Sequence, residues 1–119
     1  MKLNVLFIIT AITSLFFGIM SLFFAKTFFS NYGVTVTEAH VFSAQLVGAA
    51  NLAIVALVWL GRKSKDTKPI VVSMFIFNAI GFVVSLLTML NKVMNSIGWS
   101  AVGIFGILTI AYTYFLFKK

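Results

Sequence analysis

Glu38, Asp66 and His40 are the only carboxylates and the only imidazole in a chain of 119 residues that contains no cysteine. A carboxylate that exchanges a proton or balances a cationic substrate within a membrane has to sit at mid-span. Both acids fall instead at the ends of long apolar runs. A single histidine with no second histidine or cysteine beside it is too small a donor set for zinc or haem, so His40 is expected to serve as a polar group near a membrane interface. Without cysteine there is no thiolate nucleophile, no disulfide and no thiolate metal site. No catalytic residue, metal ligand or cofactor is expected, and the reading leans against an enzyme.

The polar chemistry left to the apolar runs belongs to uncharged groups. Asn51, Asn78, Gln45 and Ser85 are the candidate interior polar or ligand-binding residues, because an amide or hydroxyl in hydrocarbon must either bond to a neighbouring helix or orient a polar ligand group. They lie on stripes of small residues spaced three or four apart, and such spacing places them on one helix face. The first run has Thr10, Ser14, Gly18, Ser21 and Ala25. The second has Ala44, Gly48 and Asn51, with Gln45, Ala49, Ala53 and Ala56 beside them. The third has Asn78, Gly81, Ser85 and Thr88, and the fourth has Trp99, Gly103, Gly106 and Thr113. Small side chains let helix backbones approach closely in lipid, so Gly18, Gly48, Gly81, Gly103 and Gly106 are expected at helix contacts.

Four elements must carry these stripes. Uncharged stretches of 21 to 25 residues lie between Lys2 and Lys26, His40 and Arg62, Lys68 and Lys92, and Lys92 and Lys118. Each can cross a hydrocarbon layer of about 30 Å as a helix rising about 1.5 Å per residue. With 61% hydrophobic and 9% charged residues, the chain lacks the polar surface of a soluble domain of its size. The expected fold is an all-α integral membrane domain spanning 1–119, an antiparallel bundle of four transmembrane helices at about 3–28, 38–61, 69–91 and 96–117. The first run is too long for the apolar core of a signal peptide, about 7 to 15 residues, and is expected to be a transmembrane helix.

Local signals set the boundaries. Ser30-Asn31-Tyr32-Gly33 favours a turn after the first helix. Phe28, Phe29, Tyr32, Val34 and Val36 make that connection apolar enough to lie at the outer interface or fold back over the mouth of the bundle. Thr35 and Glu38 have the spacing of a capping box, which starts the second helix near Val36. Gly61 ends it. Thr67 or Asp66 can cap the third helix, with Pro69 in its first turn. The joint at 91–96 is short enough to make the third and fourth helices antiparallel neighbours. Trp99 is expected at the outer interface and Trp59 at the inner one, with Tyr112 and Tyr114 approaching the inner end.

The net charge of +7 follows the spans and does not point to nucleic acid. Lys2, Arg62, Lys63, Lys65, Lys68, Lys118 and Lys119 fall on one side and only Lys26 and Lys92 on the other, which puts both termini and the middle loop in the cytoplasm. The same basic rim attracts anionic headgroups, so membrane lipids are expected partners.

In size and span number the chain is similar to the small multidrug-resistance transporters, yet the membrane-embedded glutamate of their first helix is replaced by the polar positions Ser14 and Ser21. Tyr32-Gly33-Val34, Gln45-Leu46-Val47-Gly48-Ala49-Ala50, Phe77-Asn78-Ala79-Ile80-Gly81 and Ile97-Gly98-Trp99 together resemble small bacterial four-helix membrane proteins of the DoxX-like kind. The resemblance implies a bacterial inner-membrane protein that serves a larger membrane system as an accessory subunit. It implies no reaction. The expectation for function is a non-enzymatic membrane protein acting through helix association, as a homo-oligomer or an accessory subunit of a larger complex. The alternative is the binding or transport of a small lipophilic molecule by a pocket lined with Asn51, Asn78 and nearby small residues.

Overall fold

The computed structural model describes residues 2–33, 35, 37–92 and 94–118. Among them the fold is all-α: α1 Leu3–Phe23, α2 Ala25–Ser30, α3 Glu38–Gly61, α4 Lys68–Leu90 and α5 Trp99–Phe117, the last preceded by a 3-10 turn at Ser96–Gly98. α1, α3, α4 and the segment Ser96–Phe117 are each long and apolar enough to cross a membrane, which makes the chain an integral membrane protein. The chain divides into two compact units, Met1–Lys63 and Ser64–Lys119.

In the first unit α1 and α3 pack antiparallel. Gly18 lies against Gly48 and Leu52, while Leu22, one turn further along α1, lies against Gly48 and Gln45, earlier in α3. The buried side of α1 comprises Leu6, Phe7, Thr10, Ala11, Ser14, Gly18 and Ser21, so the small and polar stripe read from the sequence is the face this helix turns inward. Exposed Ile12, Leu15, Phe16 and Ile19 lie on other sides of the helix, as an apolar solvent permits.

The first helix is not continuous to Phe28. It stops at Phe23, Phe24 leaves helical geometry at φ −129°, ψ 33°, and α2 starts at Ala25. Phe28 then packs edge-on to Phe16 and Phe17, at 6.0 and 5.6 Å between ring centroids. In a straight helix eleven or twelve residues advance about 17 Å, so α2 has folded back toward the body of α1. The remaining 21 residues of α1 still rise about 31 Å, and the break therefore costs no span length. The fold-back continues the aromatic cluster through Phe29 and Tyr32. A turn closes it, where Gly33 adopts φ 78° and its N–H donates to the Ser30 carbonyl. Val34 and Val36, expected in the same apolar connection, lie outside the described residues.

α3 starts two residues later than its expected capping box. Thr37, not Thr35, is the cap: its hydroxyl accepts from the His40 N–H at 3.3 Å, and His40 Nδ1 accepts from the Thr37 N–H at 3.4 Å. Glu38 sits in the first turn, where its charge complements the positive end of the helix. In the second unit Thr67 is the capping residue of α4 without a side-chain bond, while Asp66 Oδ1 accepts from the Lys68 N–H at 3.2 Å and Pro69 occupies the first turn. α4 ends at Leu90 with Asn91 as its C-cap, and Lys92 follows in the left-handed region at φ 59°. Asn95 accepts from the Ile97 N–H at 3.0 Å and starts the return. α4 and α5 are antiparallel, since Gly81 meets Phe105, Phe82 meets Gly106, and Met89 meets Gly98.

Candidate functional site

Gly18 and Gly48 face each other where α1 and α3 cross. A Cβ built on Gly48 would stand 2.9 Å from the Gly18 carbonyl oxygen and 3.0 Å from the Leu22 amide nitrogen, and one built on Gly18 would stand 3.2 Å from the Gly48 carbonyl. Backbone meets backbone at that point, which only glycine allows. Gly81 is filled from the other helix by the Phe105 ring, 2.5 Å from where a Cβ would lie, and Gly106 faces the Phe82 ring at 3.3 Å. Gly98, which the sequence placed in the fourth run without a packing role, is buried against Met89 and Met94. Gly103 differs from expectation. It is exposed and a Cβ there would meet nothing within 4 Å, so it packs against no described residue.

The four candidate polar residues separate into two kinds. Asn78 is 2% exposed and Ser85 is also buried, whereas Asn51 is half-buried and Gln45 exposed. Asn78 Nδ2 donates to the Met74 carbonyl at 2.8 Å and Asn51 Nδ2 to the Val47 carbonyl at 3.0 Å. Both amides thus bond to their own helix one turn back. Gln45 alone reaches another helix: its Nε2 donates to the Leu22 carbonyl at 3.4 Å. That carbonyl lies in the last turn of α1, so the Gln45 amide adds a donor to a helix end from the neighbouring helix. Thr13, Ser73, Thr88, Thr109 and Thr113 likewise return their hydroxyls to carbonyls four residues back, which satisfies their donors and lets them lie in hydrocarbon.

α5 turns a different face inward from the one its small residues mark. Val102, Leu108 and Tyr112 are buried, Tyr112 completely, while Trp99 and Gly103 are exposed and Gly106 and Thr113 half-buried. α3 carries a second small-residue face. Ala44 and Gly48 are buried, but Gln45, Ala49, Ala53 and Ala56 form an exposed row round the helix from them. One feature had no counterpart in the reading of the sequence: Arg62 stacks on Trp59, its guanidinium carbon 3.8 Å from the ring centroid, with Nε donating to the Trp59 carbonyl at 3.2 Å. An aromatic residue three positions before an arginine at a helix end is the signal that could have found it.

Comparison with family models, with curated proteins and with solved structures gave no match for this chain.

Proposed function

We propose that this chain is a non-enzymatic membrane protein that acts through lateral helix association, as an oligomer or as an accessory subunit of a larger membrane complex. The observation that carries the reading is the second face of α3. Gln45, Ala49, Ala53 and Ala56 are exposed along one side of an apolar helix whose other small residues, Ala44 and Gly48, are already buried. Small side chains facing lipid gain nothing from the lipid that larger ones would not gain, but they let a further helix approach closely and form many weak contacts. Gln45 adds a side-chain carbonyl oxygen at the edge of that row, an acceptor for a polar group on the approaching helix.

The absence of cysteine from the sequence makes the test direct. Ala53→Cys and, as a control on the opposite exposed side, Val47→Cys are oxidised in native membranes and separated without reductant. Association through the alanine face gives a disulfide-linked dimer or a larger adduct with Ala53→Cys and neither with Val47→Cys. Monomer from both variants defeats the reading.

The setting proposed for this association is a bacterial inner membrane with both termini in the cytoplasm, supported by the excess of basic residues at one set of helix ends. A membrane-impermeant thiol reagent applied to intact cells should label Asn31→Cys and spare Ser64→Cys. The converse pattern reverses the orientation.

A further inference from the structure

The C-terminal end of α3 carries a cation, Arg62, held against the helix by its own last turn. Trp59 is 49% exposed and Leu60 73% exposed, so this turn presents an indole and an aliphatic side chain outward just before the charge begins. Indoles settle at the headgroup boundary, with the ring in apolar material and the N–H hydrated. Arg62 does not extend away from that ring. It lies over it at 3.8 Å and is tied by Nε to the Trp59 carbonyl. Two contacts from one side chain fix the plane of the guanidinium, and among the described residues its two Nη atoms have no hydrogen-bond partner. The free edge of a planar guanidinium matches two phosphate oxygens with parallel N–H donors, a geometry that an ammonium does not offer. Lys63 follows directly and is exposed, and exposed Lys65 and Lys68 come within the next five residues of the chain.

We propose that Trp59, Arg62 and Lys63 bind the headgroup phosphate of an anionic phospholipid, with Trp59 setting the depth, Arg62 engaging the phosphate oxygens and Lys63 adding attraction. Charge complementarity selects the partner. Four cations in seven consecutive residues, 62–68, face a single carboxylate, Asp66, and such clusters beside a membrane-crossing helix favour acidic over zwitterionic lipid. The end of α5 repeats the chemistry more loosely: Lys118 Nζ lies 5.6 Å from the Tyr114 ring and 5.7 Å from the Phe115 ring. The proposal does not depend on association through the alanine face of α3, because its residues lie in the last turn of that helix and just beyond.

The test is native mass spectrometry of the full chain released from nanodiscs of mixed phosphatidylglycerol and phosphatidylcholine, with far-UV circular dichroism and thermal melting to establish that each variant is folded. Wild type should retain phosphatidylglycerol in preference. Arg62→Gln should lower that preference by roughly fivefold, the equivalent of about 1 kcal/mol. Arg62→Lys should lower it as well, because the charge remains and the paired donors do not, while Lys92→Gln should leave it unchanged. Retention by Arg62→Lys equal to wild type would reduce the effect to net charge and overturn the site. An equal loss in Lys92→Gln would do the same. Added inorganic phosphate at millimolar concentration should leave the bound lipid in place, and its displacement would assign the site to free phosphate instead.

Discussion

Phe28 lies edge-on to Phe17 with ring centroids 5.6 Å apart although ten residues separate them, and this one contact shows that α2 runs back along α1. The reversal is held by rings, since Phe28 also meets Phe16, Phe29 and Tyr32. Edge-to-face pairs of this kind contribute about 0.5 to 1.5 kcal/mol each beyond the area they bury. Phe28→Ala is therefore expected to release α2 without unfolding α1. Hydrogen–deuterium exchange should rise across residues 25–30 while the α1 amides stay protected, and Phe28→Leu should give a smaller rise. Unchanged exchange in Phe28→Ala would mean that the backbone at Phe24, rather than the aromatic cluster, fixes the fold-back.

The glycines predict three different costs for the same added methyl group. At Gly48 the new atom meets the backbone of Gly18 and Leu22, which cannot yield without moving the helix. Gly48→Ala should destabilise by about 1 to 3 kcal/mol, the usual range for overpacking a tight contact. Gly81→Ala meets the Phe105 ring, which can turn aside in part, and should cost less than Gly48→Ala. Gly103→Ala meets nothing and should be neutral or stabilising by up to about 1 kcal/mol, because alanine is the better helix former. Thermal unfolding of the three variants in one detergent ranks them, and a Gly103→Ala variant as unstable as Gly48→Ala would contradict the packing described for both.

The spans were legible because about twenty apolar residues in a row have few other uses, and the inward stripe of α1 was legible because its serines, threonine and glycine recur at helical spacing. The break at Phe24 was not. No glycine or proline marks it, and the rings that meet across the reversal are eleven or twelve positions apart in the sequence. The face of α5 was misread for a related reason: on a helix apolar all round, small residues mark where another helix can approach, and exposed Gly103 belongs to a side that no described residue fills. Asn51 and Asn78 stand out in the sequence as amides needing partners, but sequence spacing cannot say that those partners are carbonyls of the same helix four residues back.

The start of α3 distinguishes two threonines only two residues apart. Thr37 caps the helix and His40 returns the bond, so histidine takes the place that glutamate or glutamine holds in the usual pairing. Thr37→Ala should lower stability by about 0.5 to 2 kcal/mol. Thr35→Ala should change it by less than about 0.5 kcal/mol, as befits an exposed residue outside the cap. His40→Gln should retain most of the wild-type stability, because the amide oxygen can accept from the Thr37 N–H, whereas His40→Ala should not. Chemical or thermal unfolding of the four variants provides the measurement, and a Thr35→Ala loss exceeding that of Thr37→Ala would move the cap back to the position read from the sequence.

Asn78 decides between structural and ligand chemistry for the buried amides. Its Nδ2 bonds to the Met74 carbonyl, an oxygen one turn back that an α-helix already pairs with the backbone N–H of residue 78. Removing the amide thus leaves no buried acceptor stranded, and leucine has nearly the same volume, a combination in which loss of a hydrogen bond is close to neutral. Asn78→Leu is expected to keep the melting temperature, the oligomeric state and any co-purifying lipophile of the wild type, and the same is expected of half-buried Asn51→Leu, whose bond to Val47 is of the same kind. Native mass spectrometry followed by lipid extraction reads all of these on one sample. Selective loss of a bound lipophile from Asn78→Leu, with assembly intact, would show that the amide recognises a ligand and would favour a binding protein over one that acts by association.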